Sequence, residues 1–321
     1  MSIHTPLCDL LGIRHPIMLA GMGGVSYSGV CAAVTQAGGF GCLGMAGRSP
    51  KEIRQEMRAV RALTQGPFGV DLLTALPDSL HASVDIIIEE GACAFVAGLG
   101  VPLDIIARLK SAGLKVLVVG GSVAHAQKAE DAGCDAVICQ GSEGGGHTGL
   151  VGTLPLVAQA VEAVSIPVIA AGGIYDGRGL AAALALGAQG VWLGTRFIAS
   201  QEAHAGALYK EAILAARDSD TVRTRAYSGK PMRVKDNAWV KDWESRPHDI
   251  QAFPGQAITS LQAGVMGGIG GQIDGLNSDT SCFAMGQSAG GVRAIESCQT
   301  IIDNIMSEAE ATLMRLGGLV R

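Results

Sequence analysis

The feature that most constrains the fold is an alternation of short apolar runs with longer amphipathic stretches. Eight runs have the length and composition of β-strands: residues 17–22, 40–45, 68–73, 94–99, 115–120, 136–141, 167–173 and 190–197. The runs are apolar almost throughout, which is typical of parallel strands buried on both faces. Eight strands separated by helices predict an α/β fold, a (β/α)8 TIM barrel, with a doubly wound open sheet as the main alternative.

The residues that end these runs favour the barrel. Nearly every run finishes in glycine or in a polar residue, among them Asp71, Gln140 and Thr195. In a parallel barrel all the carboxyl ends meet at one face, the barrel mouth, where barrel enzymes build their active sites. A single glycine of this kind could serve only a tight turn. Taken together, the ends predict a functional site at the mouth.

The alternation stops after Asp218. A polar stretch with Trp239 and Trp243 follows at 221–254, then a glycine-rich tract at 264–275 and a helical stretch at about 286–316. We predict that residues 1–217 form the barrel and that helices within 286–321 complete it. Residues 218–285 are predicted to be an inserted segment of helices and loops that covers the mouth and excludes water from the substrate. The five residues 267–271 lack the spacing of a dinucleotide-binding loop.

Composition narrows the class of protein. The 321 residues are 48% hydrophobic and 17% charged, and the net charge of −5 comes without a basic block, so we expect no nucleic-acid partner. Eight cysteines without CxxC spacing predict neither a metal site nor a disulfide framework. The N-terminus does not read as a secretion signal, and no apolar run reaches about 18 residues. We therefore expect a cytoplasmic enzyme without a membrane partner, and the sequence leaves a homodimer open.

Two run ends have the features of a phosphate site. Ala171, Gly172 and Gly173 close the seventh run, and Gly194 and Thr195 close the eighth. Many barrels bind a phosphate at these two positions through backbone N–H groups, and a Cβ there would block the approach of the anion. The Thr195 hydroxyl is a further candidate donor. The pair of ends predicts a bound phosphate group.

A histidine in a glycine-rich loop is the candidate catalytic residue. His147 lies in the His147 loop, residues 141–149, directly after the sixth run and Gln140. We expect little apolar packing around it, so a chemical role is the better interpretation. Histidine titrates near neutral pH and serves as base, acid or hydrogen-bond donor. The other six histidines lie in helical, surface or loop contexts and are interpreted as structural.

Two charged residues near these motifs have open roles. Arg196 either faces the site or pairs with a carboxylate on the outside of the barrel. Glu143 either orients His147 or is an exposed loop carboxylate. The residue types and spacing do not decide between these alternatives.

The stretches 18–23, 66–71, 140–149, 166–179 and 194–197 resemble the nitronate monooxygenase family, formerly called 2-nitropropane dioxygenases. The resemblance spans residues 5–200 in order and continues more weakly at 285–290. It implies an FMN-dependent oxidoreductase with a TIM-type barrel. It also implies that His147 faces the flavin where a small-molecule substrate stacks.

The resemblance further implies a cofactor-binding set. Ala20, Gly21 and Met22 would lie along the isoalloxazine ring. Asp71 and Gln140 would lie near its polar pyrimidine edge or the ribityl chain. Around the phosphate it implies Gly172, Gly173, Gly194 and Thr195, and the set also includes Gly145, Gly146 and Ala171.

Three departures from the family pattern concern the substrate. Asp71 stands where Asn is usual, and a carboxylate there would oppose the negative charge of a reduced FMN. The Gly-Gly-Gly-His-Thr-Gly loop looks closer to acyl-CoA reductases of steroid-ring breakdown. No tyrosine lies beyond Tyr227, in the late region where bacterial nitronate enzymes tend to carry them.

Three functions follow as hypotheses. In the first, the enzyme oxidises alkyl nitronates with molecular oxygen. In the second, NAD(P)H reduces FMN, and the enzyme acts on an enoyl or other acyl-CoA or acyl carrier protein thioester. In the third, the chain is a flavin-binding module without catalysis, which leaves His147 without a purpose. The first hypothesis is favoured by the size of the nitronate monooxygenase family, which is an analogy from fold.

Overall fold

The computed structural model describes residues 3–74, 80–101 and 103–319. The strands are β1 (Ile17–Leu19), β2 (Gly41–Gly44), β3 (Phe68–Leu73), β4 (Ala94–Gly98), β5 (Lys115–Gly120), β6 (Ala136–Gln140), β7 (Gly146–His147), β8 (Val168–Ala171), β9 (Gly190–Leu193), β10 (Thr221–Thr224) and β11 (Met232–Lys235). Eight of them form one parallel sheet in the order β1-β9-β8-β6-β5-β4-β3-β2. A parallel bridge between Met18 and Phe40 joins the two edge strands. The sheet therefore closes, and the predicted TIM barrel is confirmed.

Helices surround this sheet. They are α1 (Pro6–Leu11), α2 (Ser28–Gln36), α3 (Pro50–Leu63), α4 (Leu80–Glu89), α5 (Ile106–Ser111), α6 (Val123–Asp131), α7 (Thr153–Ala163), α8 (Gly177–Ala185), α9 (Thr195–Ile198), α10 (Ala207–Ala215), α11 (Ala238–Glu244), α12 (Gly255–Gln262), α13 (Gly267–Gly270) and α14 (Cys298–Gly317), with 3-10 turns at Pro247–Asp249 and Gln287–Gly291. No helix in the described ranges is long and apolar enough to cross a membrane.

The barrel interior is a packed core. Met18, Leu117, Ile138 and Ile169 point into it from four strands and are fully buried. Leu7 of α1 belongs to the same cluster, so α1, which precedes β1, closes the amino-terminal end of the barrel. A second, larger cluster lies between the strands and the helices. Because α1 closes the amino-terminal end of the barrel, we look for the site at the mouth, the other end.

The last helix completes the helical ring. α14 packs between α8 and α2, and a Cβ on Gly177 would collide with the α14 backbone at Ile305 and Ala309. The Ser297 hydroxyl caps α14 by accepting a hydrogen bond from Thr300 N. The helical stretch expected from about residue 286 begins as the short 3-10 turn, and α14 starts only at Cys298.

The segment 218–285 contains strands that the sequence did not reveal. β10 and β11 pair antiparallel, and β11 pairs with β7, so that Met232 lies opposite His147. Only one face of the hairpin is apolar, with Val222 and Val234, and the short polar strands therefore lack the continuous apolar run that marks the barrel strands. The expectation of helices and loops alone was wrong at this point.

The end of the eighth predicted strand also differs. The run 190–197 was expected to be one strand, but β9 stops at Leu193 and residues Thr195–Ile198 form α9. The turn at Gly194, with a ψ of −76°, starts the helix immediately after the barrel wall. The final apolar residues pack between the barrel and its helices, where Phe197 is fully buried. Periodicity alone does not separate a short buried helix from a strand of this length.

The segment 218–285 contacts loops at the mouth. Arg48 Nη2, in the loop after β2, donates to Gly270 O over 2.8 Å, and His204 Nε2 lies 3.0 Å from Gly271 O. A Cβ on Gly24, in the loop after β1, would collide with the backbone of Gly271. The tryptophans are used within the segment: Trp239 stacks on Tyr227 at 6.2 Å and meets Trp243 at 5.8 Å between ring centroids.

Candidate functional site

The turn after β1 is built around a buried serine. The Ser26 hydroxyl donates to Ala20 O over 2.7 Å and accepts from Met22 N over 3.2 Å. A Cβ on Gly44 would collide with the Met22 backbone, so the end of β2 packs directly on this turn. A Cβ on Gly194 would lie 3.3 Å from Met22 Sδ. The structure thus brings residues 20–22 against the end of β9, as the predicted cofactor set requires.

Asp71 lies at the mouth, buried, in a setting that favours its protonated form. Its side chain occupies the space that a Cβ on Gly21 would need, which explains the glycine. Burial raises the pKa of the Asp71 carboxyl well above its usual range, and among the described residues no donor bonds to it. An unpartnered buried carboxyl keeps its proton. Burial therefore shifts Asp71 towards the neutral acid, which would oppose a reduced FMN less than the carboxylate expected from the sequence.

The His147 loop is ordered by hydrogen bonds. Gln140 Nε2 donates to His147 O over 2.9 Å and to Gly145 O over 3.3 Å. Gly146 has a φ of 74°, and a Cβ on Gly145 would lie 2.8 Å from the backbone of Met285 and Gly286. Together with the pairing of β7 and β11, these contacts fix the backbone of His147. The expected loosely packed glycine tract is instead an edge of a small sheet.

His147 is half-buried, and its imidazole is neutral. Its Nε2 atom lies 2.9 Å from Ser228 Oγ. Burial, together with the smaller effect of the positive charge of Lys230, lowers the pKa of His147 to about 4. The Ser228 hydroxyl donates to Lys230 O over 3.1 Å, so its oxygen is left to accept from His147. We assign the Nε2–H tautomer, with an unprotonated Nδ1 that can accept a proton.

Two consecutive glycines form a cradle at the end of β8. Gly172 and Gly173 have φ values of 100° and 75°, a conformation that side-chain-bearing residues rarely adopt. Among the described residues their N–H groups meet no acceptor. The peptide N–H of Gly194, at the end of β9, is equally free within the described ranges. Free N–H groups on a concave backbone suit a phosphate.

Thr195 and Ala171 support this cradle. Thr195 Oγ1 accepts a hydrogen bond from Gly286 N over 3.0 Å, which leaves its proton free to be donated. Ala171 O accepts from Gly141 N over 2.9 Å, and Thr153 Oγ1 donates to Gly172 O over 2.9 Å. The ends of β6, β8 and β9 are thus tied together. The residues present fit the phosphate end of a flavin nucleotide.

Glu143 and Arg196 are structural. Glu143 Oε2 accepts from Thr153 N over 2.8 Å at the first residue of α7, where free N–H groups and the helix dipole favour a carboxylate. Arg196 forms a salt bridge with Glu296 and donates to the carbonyls of Ala199 and Ala294. Of the alternatives left open for Arg196, the structure supports the carboxylate pair. Glu143 neither contacts His147 nor stands free.

Sequence reasoning missed three residues of the site. Ser26 shapes the turn after β1, Ser228 forms a hydrogen bond with His147, and the charge of Lys230 lowers the pKa of His147. Ser228 and Lys230 lie in the stretch Ser-Gly-Lys-Pro between β10 and β11. In the sequence, Ser228 and Lys230 were marked only by a polar turn within the segment that was expected to cover the mouth.

The chain matches the family model described as nitronate monooxygenase over residues 4–308. It is 34% identical to the (3aS,4S,5R,7aS)-5-hydroxy-7a-methyl-1-oxo-octahydro-1H-indene-4-carboxyl-CoA dehydrogenase of Rhodococcus jostii (strain RHA1), with 99% of both chains covered. It is 35% identical to a probable nitronate monooxygenase of Staphylococcus aureus (strain Newman), covering 77% of this chain and 82% of the relative. The structure of FabK from Thermotoga maritima aligns with a TM-score of 0.92 and 38% identity over 99% of this chain and 100% of that one.

Proposed function

Because the chain belongs to the nitronate monooxygenase family of flavin-dependent oxidoreductases, we propose that it holds FMN at the barrel mouth and oxidises or reduces an acyl thioester there. The observation that carries the proposal is His147, a neutral imidazole fixed by Ser228 at the mouth. A neutral base at the mouth of a flavin-binding barrel suits proton transfer that accompanies substrate redox chemistry.

FMN fits better than FAD. The glycine cradle at Gly172 and Gly173, with Gly194 and Thr195 beside it, provides for one terminal phosphate. The glycine tract at residues 267–271 forms α13 and follows no barrel strand. It therefore lacks the structural context of a dinucleotide-binding loop. When bound, FMN supplies the electron transfer to or from the substrate, which no side chain of this chain can perform.

The chain's own residues would bind, orient and move a proton. His147 would accept the proton at Nδ1, while Ser228 keeps Nε2 protonated. Asp71, as a neutral acid, would donate a hydrogen bond where an ionised side chain would repel a reduced flavin. The segment 218–285, which contacts the loops after β1 and β2, would exclude water.

The substrate class rests on the extent of similarity. The carboxyl-CoA dehydrogenase relative covers 99% of this chain, including the segment that carries Ser228, whereas the probable nitronate monooxygenase covers 77%. The likeness of the Gly-Gly-Gly-His-Thr-Gly loop to that of acyl-CoA reductases also favours a thioester. NADH or NADPH is the proposed partner that exchanges electrons with FMN.

Oxidation of alkyl nitronates by molecular oxygen is the second candidate. The family model and the Staphylococcus relative favour it. A nitronate arrives already ionised, so His147 would act by orienting or hydrogen-bonding it. Lys230, whose charge reaches His147, would attract such an anion.

Anaerobic rapid mixing tests these proposals. The purified protein is mixed separately with NADH, NADPH and an alkyl nitronate while flavin absorbance is followed. The thioester proposal predicts rapid bleaching by a nicotinamide and return of colour on addition of an enoyl-CoA. Bleaching by the nitronate alone, without response to either nicotinamide, would contradict it and support the second candidate. A protein without bound flavin would overturn both.

A further inference from the structure

The hairpin beside His147 carries an unusual concentration of positive charge. The chain has 29 acidic and 24 basic residues, yet residues 221–235 contain no acid. This stretch holds five cations: Arg223, Arg225, Lys230, Arg233 and Lys235. A local excess of one charge beside a binding site attracts ligands of the opposite charge. The hairpin is therefore a candidate anion site.

Two of these cations oppose each other across the strand pair. Arg223 on β10 pairs in register with Arg233 on β11. Val222 and Val234 pack in an apolar cluster on one face of the hairpin. Because neighbouring side chains of a strand alternate between its faces, the side chains of Arg223 and Arg233 project from the other face. Like charges directly opposite in a sheet are destabilising. Such a pair is expected where a bound anion offsets the repulsion.

Within the described ranges, neither arginine forms a salt bridge with a carboxylate. The salt bridges of the described ranges involve neither residue. Arg223 Nε is fully buried and meets no acceptor in the part of the chain that the structure describes. Arg233 donates only to uncharged oxygens, Ser142 O and those of Thr221. Burial and the charge of Arg223 lower the pKa of Arg233, with Glu143 acting in the opposite direction.

The pair lies close to the proposed reaction centre. Arg233 is opposite Gly146, the neighbour of His147, in the same three-stranded sheet. Arg223 is one strand further out, so its backbone is two strand spacings, about 10 Å, from Gly146. A phosphate there would be separate from the glycine cradle at Gly172, which suits the FMN phosphate. The distance suits a charged group joined to the reacting part of a ligand by a chain.

We propose that Arg223 and Arg233 bind a nucleotide diphosphate, the group that coenzyme A thioesters share with nicotinamide dinucleotides. Two adjacent guanidinium groups can each give paired hydrogen bonds to phosphate oxygens. The inference rests on the proposed function, because it locates the tail of the proposed thioester or of its redox partner. A small alkyl nitronate would have no use for this pair.

Calorimetric binding to the flavin-loaded protein tests the proposal. The probes are coenzyme A, pantetheine, which lacks the diphosphate, and NAD⁺, which has the diphosphate but cannot reduce the flavin. Arg223→Gln removes the guanidinium that makes no described hydrogen bond. Arg58→Gln is the matched control, since it removes the same charge from α3, where Arg58 is already paired with Glu90. FMN content is measured in every variant.

We expect Arg223→Gln to raise the Kd of coenzyme A or of NAD⁺ about tenfold or more. The probe that is affected identifies the source of the diphosphate. Pantetheine binding, FMN content and the Arg58→Gln protein should be unchanged. Equal binding of both nucleotides by Arg223→Gln and the control, or loss of FMN from Arg223→Gln, would overturn the proposal. Because binding needs no turnover, a protein that binds coenzyme A through Arg223 but leaves thioesters unchanged would contradict only the proposed function.

Discussion

His147 Nε2 lies 2.9 Å from Ser228 Oγ, and the two residues are 81 positions apart in the chain. His147 belongs to the loop after β6, whereas Ser228 belongs to the turn between β10 and β11. This side-chain hydrogen bond therefore joins the barrel to the segment that follows it, beside the pairing of β7 with β11. The state of the imidazole depends on both parts of the chain.

Ser228→Ala is predicted to lower kcat/KM about 5- to 10-fold. The substitution removes the acceptor of His147 Nε2–H, so the imidazole is no longer held in the Nε2–H tautomer. FMN content should not change, since Ser228 touches no residue of the cradle. Ser228→Thr, which keeps the hydroxyl, should recover most of the activity. Steady-state kinetics of the three proteins measure this. Equal kcat/KM in wild type and Ser228→Ala would remove Ser228 from the positioning of His147.

The pH profile should reflect a depressed pKa. With a pKa of about 4, His147 is neutral throughout the range between about pH 5 and 8, where an unperturbed histidine would titrate. The stability associated with its neutral form is full above the unfolded pKa of about 6.5 and is lost as the pH falls towards the folded value. NMR titration of the His147 ring should give a midpoint near the lower value. A midpoint near about 6.5 would contradict the burial argument.

Asp71→Asn is predicted to stabilise the flavin-free protein increasingly as pH rises. The buried carboxyl has a raised pKa, so its contribution to stability is full below the unfolded value of about 3.9 and is lost as pH rises towards the folded one. The amide has a similar shape and does not titrate. The Tm difference between the two proteins, measured from about pH 4 upward, should widen with pH until the folded-state pKa is passed. A constant difference would show that Asp71 does not titrate in this way.

Gly173→Val should empty the flavin site. Gly173 has a φ of 75°, and a Cβ there would lie 3.3 Å from Glu143 Cβ. The branched side chain of valine would therefore strain the backbone and press on Glu143, which would distort the phosphate cradle. Gly91→Val is the control, because Gly91 has a φ of 72° and open space around it, in the turn after α4. Flavin released by heat is quantified for both proteins and identified as FMN or FAD. Equal flavin content in the two variants would contradict the cradle, and FAD would contradict the cofactor assignment.

The barrel could be predicted because its signal is local and repeated. Strands such as β3 and β5 are buried on both faces, so their apolar runs coincide with the strands residue for residue. β10 and β11 are short and apolar on one face only, and their pairing with β7 depends on contacts across more than 80 residues. Local periodicity carries no information on such pairing.

The candidate site was only partly predictable. His147 and the glycine ends stand out because their residue types are unusual for their positions. The charge states of His147 and Asp71 were not predictable, since both depend on burial that only the folded chain creates. Ser228 could not be found because its partner is distant in the chain.

The rate of substrate-dependent flavin oxidation or reduction in His147→Ala tests the central claim most directly. The variant should retain FMN, because His147 is held by hydrogen bonds outside the cradle. Rapid mixing with the substrate identified for the wild type should show a rate about 10²–10⁴-fold lower, the usual cost of losing a general acid or base. An unchanged rate in a fully flavin-loaded His147→Ala protein would contradict the account.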